Sequence, residues 1–286
     1  MVVKANAIQQ NLILGPAIIS KSIAPGSSSS AYVTITNQGG IGYPYSIYAS
    51  PYGVQDETYK PIFKTLPGFS NISSWFSFNQ TSGYLNPQST NTIYYTISVP
   101  SGTAPGSYYA AVFTETHTPA LTPSKTLVQL NQRLGTLVYI NVPGQAIQKG
   151  KVNFWQVKFL QSNQIQADLK LENDGKLYYI SNINVNYSNV FGGLAYKFVA
   201  QKIVLPKVIR NIPTPWTDPP QLGLFKVDGS ATIYGQQYLT TKYVLLMPIY
   251  LQVITLIVLI LIVIFVIIKI VKFVTRRKHT KYRVKK

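Results

Sequence analysis

The residues able to do chemistry in this chain are few. Among 286 residues there are eight acids, two histidines and no cysteine. Thiolate metal sites, cysteine nucleophiles and disulfide frameworks are therefore excluded. Ahead of the C-terminal segment the single histidine is His117, in the polar, Pro-containing stretch Thr114–Pro123, with Glu115 two residues away. That setting reads as a surface histidine in a hairpin loop rather than as the base of a Ser-His-Asp relay. Asp56-Glu57 falls in a turn. Glu172-Asn173-Asp174 supplies oxygen ligands, but Ca²⁺ takes about six to eight oxygens and no second acidic cluster is near in sequence. No pair of carboxylates stands out for glycoside hydrolysis, which needs two acids held across a cleft. The chain is expected to be non-enzymatic, with no cofactor and no metal.

Tyrosine is the enriched residue, with 21 copies. Tyr43, Tyr45, Tyr48, Tyr52 and Tyr59 fall in one segment, and Tyr94-Tyr95 and Tyr108-Tyr109 form adjacent pairs. Strand side chains alternate between faces, so one ring of each pair points inward and the next outward. An outward set makes a rigid amphipathic surface for protein or glycan contact. Tyr43, Tyr45, Tyr48, Tyr52, Tyr108 and Tyr109 are the expected partner-binding residues. The competing reading is that tyrosine serves as an ordinary strand former on half-exposed sheets.

The elements that must hold these residues are strands. Residues 8–242 carry turn signals about every ten residues and short runs alternating apolar with polar, such as Ala31–Thr36, Thr92–Val99, Leu137–Val142 and Gln166–Leu171. A pattern also repeats. Val33-Thr-Ile35-Thr-Asn37-Gln-Gly39 and Leu169-Lys-Leu171-Glu-Asn173-Asp-Gly175 share apolar-x-apolar-x-Asn-x-Gly, a strand running into a turn where Asn and Gly tolerate positive φ. The expected fold is all-β: two tandem immunoglobulin-like β-sandwich domains, at 8–144 and 145–242, joined at Pro143-Gly144-Gln145. One large sandwich is the alternative.

Charge divides the chain differently. Of 26 Lys and Arg residues, nine lie in the last 18 positions: Lys269, Lys272, Arg276, Arg277, Lys278, Lys281, Arg283, Lys285 and Lys286. Just before them, Tyr243–Ile268 contains no charge and Leu256–Ile268 is wholly apolar. Such a run suffices for the ~20 residues of a membrane crossing and lacks the polar stripe of a soluble helix. The reading is a transmembrane helix at 243–268 and a basic cytoplasmic tail at 269–286, the larger part lying outside by the positive-inside rule; a central helix of a larger assembly is the other reading. Export needs a signal, and Ala5-Asn6-Ala7 resembles a signal-peptidase site, so residues 1–7 are expected to be a signal-peptide remnant. The remaining 17 basic and eight acidic residues favour anionic wall polymer over nucleic acid, for which no basic-aromatic binding motif is present.

The order of these motifs brings a family into view. A Pro25-Gly26 turn precedes the Asn-x-Gly strand, "NPQSTNTIYYTISVPSGTAPGSYYAAV" follows, and "RLGTLVYINVPG" closes the first domain ahead of a second β domain, a span and a Lys/Arg tail. The succession resembles the WxL-interacting proteins of Gram-positive cell surfaces over nearly the whole chain, most strongly over 20–144. That resemblance implies two immunoglobulin-like domains on a membrane anchor, the first associated with peptidoglycan and WxL partner proteins and the second with host ligands. The second domain departs from the pattern in the Pro-rich Leu205–Pro220 segment, so its binding specificity does not carry over.

The expectation is a non-enzymatic single-pass protein of the cell membrane whose extracellular domains bind cell-surface proteins or cell-wall polymer. A structural or accessory subunit of a larger membrane-bound assembly is the alternative. Gln252 and Thr255 would then be helix-packing residues toward integral-membrane partners, because polar groups in spans tend to face protein.

Overall fold

The computed structural model describes residues 11–117, 131–160 and 164–283. The expected signal-peptide remnant at 1–7 lies outside them. The first part of the chain forms β1 (Leu12–Gly15), β2 (Ile18–Ser22), β3 (Ser28–Asn37), β4 (Tyr43–Pro51), β5 (Gly53–Val54), β6 (Pro61–Ile62), β7 (Phe76–Phe78), β8 (Ser82–Leu85), β9 (Ser89–Ser98), β10 (Gly106–Thr116) and β11 (Gln132–Val142). These strands make two sheets, ordered β1-β3-β9-β7 and β2-β11-β10-β4-β8, with β5 and β6 as a separate hairpin. Between β1 and β2 the chain changes sheets: β1 runs antiparallel to β3, and β2 runs parallel to β11.

A second sandwich follows, from β12 (Gly150–Leu160), β13 (Gln164–Asn173), β14 (Tyr179–Asn189), β15 (Leu194–Val204), β16 (Val208–Thr217), β17 (Gly223–Ile233) and β18 (Gln236–Leu246). Its sheets are β12-β13-β16 and β15-β14-β17-β18. Seven antiparallel strands divided in this way are an immunoglobulin-like sandwich. The protein is thus all-β, two immunoglobulin-like sandwiches in tandem, ahead of one apolar helix, α1 (Ile249–Arg283).

Alternation along the strands builds each core. Val33 and Ile35 of β3, Ile93 and Ile97 of β9, Val112 of β10 and Val138 and Ile140 of β11 meet between the first two sheets. Ile165, Leu169 and Leu171 of β13 meet Ile183, Val185 and Tyr187 of β14 and Val227 of β17 in the second. Each such side chain contributes roughly 1.5–3 kcal/mol by leaving water.

The repeated Asn-x-Gly pattern has a structural counterpart. Asn37 and Asn173 end β3 and β13, are wholly buried, and brace the following turn alike. Asn37 Nδ2 donates to Ile41 O (2.7 Å) and Asn86 O (3.1 Å), while its Oδ1 accepts from Gly39 N (2.9 Å). Asn173 Nδ2 donates to Leu177 O (2.8 Å) and Val204 O (3.0 Å), and its Oδ1 accepts from Gly175 N and from Tyr234 OH (2.9 Å each). The sequence pattern suggested positive φ here, but neither asparagine adopts it. The amide side chain carries the motif by satisfying buried backbone groups. Gly175 is needed for space, since a Cβ there would lie 2.6 Å from Ile147 O and from the Tyr234 hydroxyl.

The helix boundaries differ from those read in sequence. Residues 243–246 belong to β18, because Val244 and Leu246 pack on the second core and the register with β17 persists to Gly223↔Leu246. α1 starts at Ile249 and runs on past 268, through most of the basic segment, to Arg283. Its Ile249–Lys272 part, 24 residues long, reaches a mean hydropathy of 3.5 over its most apolar 18 residues, and none of these is buried in the protein. At 1.5 Å per residue it extends about 36 Å, long and apolar enough to cross a bilayer.

Removing the brace leaves buried donors and acceptors unpaired. Asn173→Ala is therefore expected to lower the unfolding free energy by about 3 kcal/mol. Asn37→Ala, losing one bond fewer, costs less; urea denaturation of the two variants against the parent chain measures both.

Candidate functional site

Tyrosines chosen from the sequence as a contact surface prove mostly internal. Tyr43, Tyr45, Tyr52 and Tyr109 are each no more than 5% exposed, and Tyr48 and Tyr108 are half-buried. The alternation argument holds, but it picked the wrong face. Tyr43, Tyr45 and Ile47 share the inward side of β4, with Tyr45 in the first core and its hydroxyl accepting from Gln80 Nε2 at 2.6 Å. Tyr108 packs on the same core and on Trp75, ring centroids 5.0 Å apart. Tyr109 does point out of the sandwich, yet another layer covers it.

That layer is the joint between the domains. Tyr109, Ala111 and Phe113 of β10, Tyr139 of β11, Tyr52 and Val54 form a buried cluster with Leu205 of the second domain, bordered by Tyr48, Tyr59, Phe63, Phe69, Tyr178, Ile203 and Val208. Rings meet edge to face, at 78° for Tyr109–Tyr139, 82° for Tyr52–Tyr109 and 85° for Phe63–Phe113, the arrangement that ring quadrupoles favour. Polar contacts fix the register. Ser107 N donates to Lys176 O (2.9 Å), Tyr178 N to Ser107 Oγ (3.0 Å) and Asn211 N to Glu57 O (2.8 Å). Lys170 pairs with Glu57, Leu205 N donates to the Tyr59 hydroxyl, and the Arg210 guanidinium lies 3.9 Å over the Tyr59 ring.

The signal for this covered face is in the sequence and went unread. Tyr108–Phe113 (YYAAVF) does not alternate, and a strand apolar on both sides is buried on both sides. Burial raises the phenol pKa of Tyr52, Tyr59, Tyr109 and Tyr139 above the ordinary value, partly offset at Tyr52 and Tyr59 by the Arg210 charge. Tyr234, beside Asn173, is pushed up to about 12 by burial.

The acidic candidates are occupied by lysines. Glu172 pairs with Lys151 at 3.2 Å and Asp174 with Lys149 at 3.8 Å, and among the described residues no cluster of acids and histidines is suited to a metal. His117 is exposed, its N–H donating to Pro44 O at 2.9 Å, while Glu115 accepts from the Tyr48 hydroxyl at 3.0 Å. Gln252 and Thr255 stand exposed on α1, but their side chains donate to Met247 O and Leu251 O, each at 2.8 Å. Their polar groups are satisfied by the chain itself.

Opposed pairs run along the outer side of β1-β3-β9-β7 in the first domain: Ser28–Ser98, Ser30–Thr96, Tyr32–Tyr94, Thr34–Thr92 and Thr36–Thr90, with Ile13 beside Thr36 and Ser77 beside Thr96. None of these residues is charged. Tyr32 and Tyr94 are more than half exposed, their centroids 5.9 Å apart; Ser28–Ser98 and Thr36–Thr90 hydroxyls are bonded at 2.8 and 2.9 Å. The face presents an aromatic pair flanked by hydroxyls that both donate and accept. Period-two Ser/Thr/Tyr in "SSSAYVTIT" and "STNTIYYTIS" is the sequence signal that would have found it.

No protein-family model matches the chain, and no curated protein matches it. Solved structures resemble it at low identity. The class 5 fimbriae chaperone CfaA is 15% identical, with 84% of this chain and 100% of that one covered and a TM-score of 0.41. The Salmonella enterica SafA pilin–SafB chaperone complex gives 11%, 84%, 99% and 0.41, and the E. coli chaperone DraB 16%, 82%, 96% and 0.38. The immunoglobulin-like assignment stands on the strand order described above.

Two outcomes follow from the joint. Because the folded chain holds these phenol protons more tightly than the unfolded one, their contribution is whole below about pH 10 and is lost as pH rises through the folded-state values. The thermal midpoint is expected to fall above about pH 10, together with a rise in tyrosinate absorbance. Tyr59→Ala removes the ring under Arg210 and the acceptor for Leu205; cleavage between residues 143 and 149 in limited proteolysis should accelerate, with little change in the melting of either sandwich.

Proposed function

We propose that this chain is a non-enzymatic, single-pass protein of the cell membrane that binds a surface protein or wall polymer outside the cell. In this reading α1 crosses the bilayer, the basic segment from Lys269 onward stays in the cytoplasm, and the two sandwiches stand outside. The positive-inside rule supports that orientation. The uncharged Ser/Thr/Tyr face of the first domain carries the binding assignment. Residues 1–268 as a whole bear 17 basic and eight acidic residues, so a sheet face free of charge selects a partner recognised by hydroxyl bonds and ring contacts rather than by charge. The resemblance to WxL-interacting proteins supports the same role.

An accessory-subunit role would draw on Gln252 and Thr255 as contacts to other helices. Their bonds to the backbone of the same segment leave that role without a specific observation in its favour.

The test is capture from intact cells by crosslinking, with the chain as bait. Tyr32→Ser/Tyr94→Ser should lose the cross-linked wall component or surface protein, at least tenfold, with an unchanged melting temperature. Undiminished capture by the double variant would remove this face from the account.

A further inference from the structure

The register of the second sandwich brings three uncharged segments to the end from which α1 leaves. Asn189 pairs with Phe225, and Phe225 with Val244; Leu224 pairs with Leu245, Gly223 with Leu246, and Val190 N donates to Leu224 O at 3.3 Å. The β14–β15 turn, the start of β17 and the end of β18 therefore lie side by side. Residues 188–196, 219–225 and 243–248 carry no charge. Exposure here is unusual for a soluble surface: Phe191 is 94% exposed, and Leu194, Leu222, Leu245 and Tyr243 each 58% or more. Lys197, Lys226 and Lys242 flank these segments, with Asp218 as the one acid directly beside them.

We infer that this apolar tip is a second membrane contact, seated in the interfacial region of the same bilayer that α1 crosses. The inference rests on α1 being the span. Only Met247 and Pro248 separate β18 from α1, so Leu246 lies within about 11 Å of the first helical residue, the reach of three extended residues. The interfacial layer on each side of the hydrocarbon is about 5–8 Å thick. With the helix starting at the hydrocarbon boundary, this short link holds the tip in the headgroup layer or just above it. Phe191 and Tyr243 are aromatics of the kind that settle at that depth, and Lys197 and Lys242 beside the tip suit anionic headgroups, Lys226 being paired with Asp228 at 2.9 Å. The domain would then be held at two points, a helix and a sheet end, which fixes its tilt.

A chain without cysteine permits single-site spin labels. Phe191→Cys and Leu222→Cys probe the tip, Ile254→Cys the helix and Gln237→Cys the opposite end of the second domain. Each full-length variant is reconstituted in vesicles of phosphatidylcholine and phosphatidylglycerol, and collisions with oxygen and with a water-soluble nickel complex are measured. Labels at 191 and 222 are expected to show several-fold less nickel collision and more oxygen collision than the label at 237. If 254 reports lipid while 191 and 222 report water, the tip contact is overturned and the span stands. Water at 254 as well would overturn the span itself. Labels at 191 and 222 shielded from both reagents, increasingly so at higher protein density, would mean that a second copy rather than lipid covers the tip.

Discussion

Strand β10 has no face toward water, and the rest of the molecule follows from that. One side packs Ala110 and Val112 into the first core; the other gives Tyr109, Ala111 and Phe113 to the joint with the second domain. Domains in one chain usually move relative to each other unless the contact is large and apolar. Here the contact is a cluster of interlocked rings rimmed by backbone bonds, so the two sandwiches are held together as one unit. Topology sets the opposite ends of the second domain: it meets the first through its 174–178 turn and Leu205, and releases α1 from the other end of β18.

The molecule sorts its surfaces by role. Phenols and phenyl rings are spent in the joint, where burial and edge-to-face contact use them fully. Hydroxyls with one tyrosine pair lie on the outer sheet of the first domain, where nothing among the described residues covers them. Bare aliphatic and aromatic tips gather at the helix end. Charge is kept from the second and third of these surfaces and placed between them, much of it in ion pairs such as Lys149–Asp174 at 3.8 Å and Lys226–Asp228 at 2.9 Å. Such pairs at a surface add little stability, but they keep the intervening walls soluble.

The class of fold was legible because strand alternation is a local signal. Val33, Ile35, Ile93 and Ile97 announce one buried face without reference to any neighbour, and an uncharged helix announces itself by length. Which side of a sheet meets solvent is a different kind of fact, decided by what packs on it from far away in the chain. Tyr52 and Tyr109 look like surface residues until the turn carrying Tyr178 is set against them, 69 residues after Tyr109. The misplaced helix start has the same origin: Val244 and Leu246 are apolar because they face a sandwich core, and sequence hydropathy cannot distinguish that environment from lipid. The Asn-x-Gly repeat was visible, but its mechanism was not, since the bonds of Asn173 end on Val204 and Tyr234, distant in sequence.

The two buried asparagines close equivalent turns, and both turns lie at the same end of their domains. In the second domain the turn braced by Asn173 presents Lys176 and Tyr178 to Ser107, so the residue that shuts one sandwich also shapes the seat of the next. In the first domain the matching turn, Gln38–Gly42, has the same internal brace and no module above it among the described residues. The two termini of the paired sandwiches thus differ in chemistry, a braced turn at one and an apolar tip beside the helix at the other.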